Sequence, residues 1–464
     1  MKTTSNFFKA FLFVFALVVM ASCSNDDGDL PVENQDPDIV DLAVATDDLS
    51  ILVAALQRAD LVSALQADGP FTVFAPTNAA FEAFLTANNF ATLEDVPVDV
   101  LTQVLLNHVV SGEFTSGSLS TQYVSSLSTA GAGGNNLSLF INTASGVTIN
   151  GISDVTTADV DATNGVVHIV DAVIGLPDIV DHALANPDLS ELVGALTDGG
   201  NTTFTDLLSS DNEEFTVFAP VNAAFSAFTN PNGNELANIL SNHVIIGATA
   251  VSSGLSNSYV NTAGTNADGD FLSLYINTDS GVTLNGTSNV AAADIIATNG
   301  VIHAVDAVID IPTVVTFAVA DPNFSTLVSA LTELTPGTDF AGILSRTEGG
   351  NGDGFDPDFT VFAPTNEAFD ALASIPDEPV LTQVLLHHVV GGAKVRSGDL
   401  TDGIMATTLE GDDITINLPG TGDNIADVTD GSGASDIGII AVDVQAGNGV
   451  IHVLNKVMIP NTNN

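Results

Sequence analysis

Tryptophan is absent from this chain, and cysteine occurs once in 464 residues, at Cys23. No intrachain disulfide is available, so stability has to come from packed cores. Bases are scarce as well, with 7 Lys and Arg against 57 Asp and Glu. Yet the charged fraction is only 14%, below the roughly 25% of an ordinary protein. The imbalance is a shortage of bases more than a surplus of acids. Such a surface repels phosphate backbones and lacks the basic patch that nucleic acid requires. With no Trp and three Tyr, the chain also has few aromatic platforms for sugar rings. Any polysaccharide contact is expected to be weak and multivalent.

The N-terminus reads as an address. Lys2 and Lys9 precede the apolar run Ala10–Met20, which is too short to span a bilayer. Small residues follow, Ala21-Ser22, and then Cys23. A positive start, a short apolar stretch and small residues define a secretory signal over residues 1–22. The cysteine at its end resembles that of a bacterial lipobox, with Met20 in place of the usual Leu. Lipidation of Cys23 is expected; the alternative, an ordinary cleaved signal, leaves the lone thiol without a role. Residues 23–35 are acidic and polar and form a flexible tether. Their opening Asn25-Asp26-Asp27 resembles an export signal to the outer face of the outer membrane.

What the chain does have is a phrase written three times: FTVFAPTNAAF, FTVFAPVNAAF and FTVFAPTNEAF, starting at Phe71, Phe215 and Phe359. The starts are 144 positions apart each time, far longer than a solenoid unit and close to a domain. Each phrase predicts a buried strand stopped by proline and then a helix, with Asn78, Asn222 or Asn366 as N-cap. Upstream, Ser50, Ser190 and Ser325 precede apolar residues at helical spacing and are read as caps too. Each repeat closes on Asn-Gly-Val, at Asn164, Asn299 and Asn448, a hairpin signal if both turn residues take positive φ. Between the two phrases, Leu101–Val110, Asn238–Ile245 and Leu381–Val390 each predict a helix running into a strand.

Six of the eight histidines sit at repeat positions: His108, His243 and His388, then His168, His303 and His452. Alternation with valines along a strand predicts buried imidazoles bonded to backbone. His387 and His388 are adjacent, which is poor chelate geometry on a helix. No H-E-x-x-H, G-x-S-x-G or Walker phrase occurs, so no enzyme activity and no cofactor are expected. The densest set of oxygen ligands is Asn351, Asp353, Asp356 and Asp358, a weak calcium candidate outside the EF-hand register.

The FTVFAP, HVV and NGV-[VI]-H blocks, in fixed order three times over, resemble the signatures of the fasciclin (FAS1) family. The resemblance implies an α+β fold: three tandem fasciclin-like domains, each a β-sandwich or wedge with packed helices, at 36–177, 178–312 and 313–460. It also implies adhesion at a cell surface, to extracellular matrix, cell-surface protein or polysaccharide. The tyrosine expected before the central histidine is Asn107, Asn242 or His387 here, so no role of that tyrosine carries over. An accessory surface lipoprotein for glycan capture or degradation is the alternative. The short connections Gly175–Pro177 and Asp310–Pro312 suggest a semi-rigid rod.

Overall fold

The computed structural model describes residues 36–197, 202–210 and 212–461. The expected signal segment, Cys23 and the tether at 23–35 lie outside the described residues. In the first repeat, Asp38 accepts the N–H of Asp41 while Asp41 accepts that of Asp38, opening α1 (Ile39–Ala45). This reciprocal box fills donors that a helix start leaves unpaired. Then come α2 (Ser50–Arg58), α3 (Val62–Leu65), β1 (Phe71–Pro76), α4 (Asn78–Ala87), α5 (Val98–Leu106) and β2 (Val109–Ser111). The rest is β: β3 (Gln122–Ser125), β4 (Ser138–Asn142), β5 (Thr148–Ile149), β6 (Ser153–Ala162) and β7 (Gly165–Val170).

The seven strands lie in the order β2-β1-β7-β6-β5-β4-β3. The two repeated phrases meet inside it, one strand from the edge: β1 and β7 run parallel, with Phe71 opposite Gly165 and Pro76 opposite Val170. Parallel strands inside a sheet are covered on both faces, which is why their sequences are almost wholly apolar. Val73 and Ala75 face a core shared with the helices, while Phe74 turns the other way, toward Leu139, Ile141 and Ile149. That second core joins strands from both ends of the sheet, so the sheet curls into a wedge. The curl is made in β6, whose register shifts twice around Asp159, a residue with φ of 58°; extra residues in a ladder bend a strand in this way. The other two repeats each have a seven-stranded sheet with helices beside it. The chain is α+β three times over.

The closing hairpin is present, but Ala162 pairs with Gly165, so its turn residues are Thr163 and Asn164 rather than Asn164 and Gly165. Glycine is required by crowding: a Cβ at Gly165 would lie 2.0 Å from the Phe71 carbonyl oxygen.

Neighbouring repeats meet through one set of contacts used twice. At the first junction the ring of Tyr123 packs edge-on against His182, 5.6 Å between centroids, and the N–H of Ile296 donates to Ser138 Oγ at 2.9 Å. At the second, Tyr259 packs edge-on against Phe317, also at 5.6 Å, and the N–H of Gln445 donates to Ser273 Oγ at 2.9 Å. The second junction adds charge, with Lys394 Nζ 2.9 Å from Asp268 and Arg396 Nη1 2.7 Å from Asp270. Among the described residues no single helix is long and apolar enough to cross a membrane.

Candidate functional site

The repeated asparagines cap a helix, but not their own. Thr77 and Thr365 are the N-caps of the helices that Asn78 and Asn366 begin, accepting the N–H groups of Ala80 and Ala368. In the middle repeat that position is Val221, which offers no cap. Asn78 instead reaches back to the start of α2. Its Oδ1 accepts the N–H of Ile51 at 2.9 Å, and its Nδ2 donates to Asp47 O at 3.1 Å and Ser50 Oγ at 3.0 Å. Asn222 does the same with Glu191 and Pro187, and Asn366 with Thr326 and Pro322. Ser50, Ser190 and Ser325 are therefore first helical residues, not caps. The chemistry read from the sequence is right and the helix is different, because tertiary packing brings the two helix starts together.

The central histidines act as locks. His108 Nδ1–H donates to Val104 O at 2.7 Å, and Nε2 accepts the N–H of Ile174 at 2.9 Å. His243 and His388 bond identically, to Ile239 and Ile309 and to Val384 and Met458. Each ties a helix to the segment that leaves its repeat. Burial lowers all three to about 4, against the backbone bonds that pull the other way. The strand histidines are spent as well: Nε2–H of His168, His303 and His452 donates to Phe114, Ala250 and Val395 carbonyls at 2.9, 2.9 and 2.8 Å. Their rings lie 5.6–5.7 Å from Phe74, Phe218 and Phe362.

Two polar sets escaped the sequence reading. Asn164 Oδ1 accepts the N–H of Ile39 at 3.0 Å while Nδ2 donates to Leu65 O at 2.7 Å, joining α1, α3 and the hairpin; Asn299 and Asn448 do likewise. Their recurrence before glycine was the available signal, and it was absorbed by the turn reading. Asp159, on the bend of β6, accepts the N–H and hydroxyl of Ser116 at 2.7 and 2.5 Å, bonds that hold its carboxyl below the usual range.

The acidic loop of the third repeat disperses its oxygens. Asp353 takes a bidentate pair from Arg346, at 3.0 and 2.8 Å, which drops its carboxyl to about 2. Asp356 Oδ1 accepts both N–H groups of Asn351, and Asp358 lies 3.6 Å from Lys394. Elsewhere in that repeat His387, Glu410 and Asp412 have ligand spacing. However, His387 Nε2 accepts the N–H of Gly431 at 3.1 Å, so the proton sits on Nδ1, facing Thr408 Oγ1 at 3.2 Å and Glu410 at 3.5 Å. A cation at Nδ1 needs the opposite tautomer. The five Lys and Arg of the described residues are all engaged, Arg58 on the carbonyls of Leu93, Val96 and Glu94 and Lys456 on Asp436.

The molecule is thus a tandem array of α+β modules whose repeated polar residues bond the modules' own backbone. A family model for the fasciclin domain matches residues 47–177, 187–312 and 322–460. The chain belongs to that family. It is 28% identical to periostin of Homo sapiens over 91% of this chain and 47% of periostin. Protein sll1483 of Synechocystis is 42% identical over 28% of this chain and 69% of its own. Cell surface glycolipoprotein MPB83 of Mycobacterium bovis is 30% identical over 32% of this chain and 60% of its own. The chain spans about half the length of periostin. Among solved structures, a FAS1 domain pair from the insect cell adhesion molecule fasciclin I matches 56% of this chain and 96% of that one, at 20% identity and a TM-score of 0.39.

Proposed function

We propose that this is a surface-tethered adhesion protein in which three modules, bounded at 36–177, 178–312 and 313–460, engage matrix, envelope protein or polysaccharide through several weak contacts at once. The observation that carries the reading is the fate of the repeated residues. The asparagines and histidines common to all three repeats bond backbone and rings inside the fold, which leaves recognition to the loops where the repeats differ. Family membership and the likeness to a cell surface glycolipoprotein support the surface location. Linked modules raise avidity without any new contact, and a lipid on Cys23 holds them at the outer membrane; the protein acts as no enzyme and needs no cofactor.

Two experiments test this. Metabolic labelling with a radioactive fatty acid is expected to mark the wild type and not Cys23→Ala. Cells bearing one, two or three repeats are expected to attach with steeply rising strength; a single repeat that retains the full adhesion would remove the multivalent reading.

A further inference from the structure

The two junctions are built by corresponding residues in the same register, so the contacts can be followed to the outer faces of the first and third repeats. On the outgoing face the strand pairs are Tyr123 with Phe140 and Ser125 with Ser138 in the first repeat, and Tyr259 with Tyr275 and Asn261 with Ser273 in the second. In the third repeat the corresponding pairs are Met405 with Thr415 and Thr407 with Asp413. The aromatic pair is gone, Met405 is 62% exposed, and an exposed carboxylate stands where Ser138 and Ser273 are buried and accept an N–H. On the incoming face the donors are Ile296, opposite Val301, and Gln445, opposite Val450. The first repeat has Asp161 opposite Val166 in that place, and it too is exposed. The fourth residue of the leading helix, His182 or Phe317 where a tyrosine docks, is Leu42 in the first repeat.

A head-to-tail contact of this kind, repeated between molecules, grows an open filament unless its rotation closes a ring. We propose that Asp161 and Asp413 terminate the stack, making the outer faces of the first and third repeats repel a second copy of this chain. Docking one molecule's first repeat on another's third would bury both carboxylates as close neighbours, where the internal junctions bury Ser138 beside Ile296 and Ser273 beside Gln445. Removing water from two like charges side by side is strongly unfavourable, and the five Lys and Arg of the described residues are already engaged elsewhere. The charged support of the second junction is missing too. Arg396 and Lys394 hold that junction, whereas the first repeat has Thr115 and Glu113 along the matching segment before the serine that bonds the bend aspartate.

The test uses the full chain with Cys23→Ala, so that a lipid cannot drive association. Sedimentation velocity is expected to show a monomer across the micromolar range. The variant Asp161→Ile, Met405→Tyr, Asp413→Ser, Thr415→Tyr is expected to associate roughly a hundredfold more tightly or better, with species that lengthen as concentration rises. A wild type that already assembles through these faces, or a folded quadruple variant that stays monomeric, overturns the proposal. A reverse test covers a variant that fails to fold. Ser138→Asp with Ile296→Asp places the end pair at the first junction and is expected to speed amide exchange at residue 296 roughly tenfold or more. Unchanged exchange there also overturns it.

Discussion

The central buried imidazole of each repeat makes these modules sensitive to acid. His108, His243 and His388 are held to about 4 by burial, while the same residues in the unfolded chain titrate near 6.5. The unfolded state therefore binds the proton first, so stability falls as pH drops through about 6.5 and the loss is complete only below about 4. Between about pH 7.5 and pH 5.5 each should forfeit roughly 1 kcal/mol. The stability gap between wild type and His108→Gln in urea titrations is expected to narrow by that amount; a constant gap would mean that the folded ring is not neutral. Asn78→Ala strips the start of α2 of an acceptor and two donors, and a loss of about 1–2 kcal/mol is expected from thermal melts. For the acidic loop, a calcium ion would have to break the bidentate hold of Arg346 on Asp353. Calorimetry with calcium is expected to give no heat, and a clear binding isotherm would reverse that reading.

Among the elements, the middle repeat is the weakest. Its helix after the strand, Asn222–Ala227, follows Val221, which gives it no side-chain cap where Thr77 and Thr365 cap the matching helices. Between helices and sheet it holds an apolar cavity of about 260 Å³ bounded by Ile179, Leu196, Leu208 and Val217, against about 20 Å³ and 80 Å³ at the matching places of the other repeats. Missing dispersion contacts and an unpaired helix start both lower local stability. Hydrogen exchange is expected to open this repeat before its neighbours, and Val221→Thr should recover about 1 kcal/mol. Opening that begins in the first or third repeat would contradict the argument.

At the scale of the molecule, the two junctions share a plan and differ in physics. The first buries His182, whose ring is also held at about 4 by burial, so acidification should loosen it in the same direction as the core histidines. The second places Phe317 there and adds Lys394–Asp268 and Arg396–Asp270. Asp268 in one pair and Arg396 in the other face water, so salt should weaken both. Protection of the Ile296 amide, taken relative to its intrinsic exchange rate at each pH, is expected to fall at low pH, and that of Gln445 in high salt. The same response at both junctions would show that these side chains do not set their strength.

The repeat count, the buried strand Phe71–Pro76 and the helix leading into β2 were legible in the sequence, because each rests on local periodicity or on self-similarity, and the α+β class was legible through the resemblance of the repeated blocks to the fasciclin signatures. Partner choice was not legible. Asn78 announces a cap, but only the packing of α4 beside α2 determines which helix receives it. Asn164 announces a turn, yet its side chain bonds α1 and α3, which are distant in sequence. The meaning of Asp161 and Asp413 depends on sheet register between repeats. One residue's slip in a strand reverses every side chain's face, so no composition or motif could assign them to the ends of the stack. The sequence by itself determined the units and their number. Tertiary structure alone decided what each repeated polar group holds, because hydrogen bonds and junction contacts join residues that only folding brings within reach.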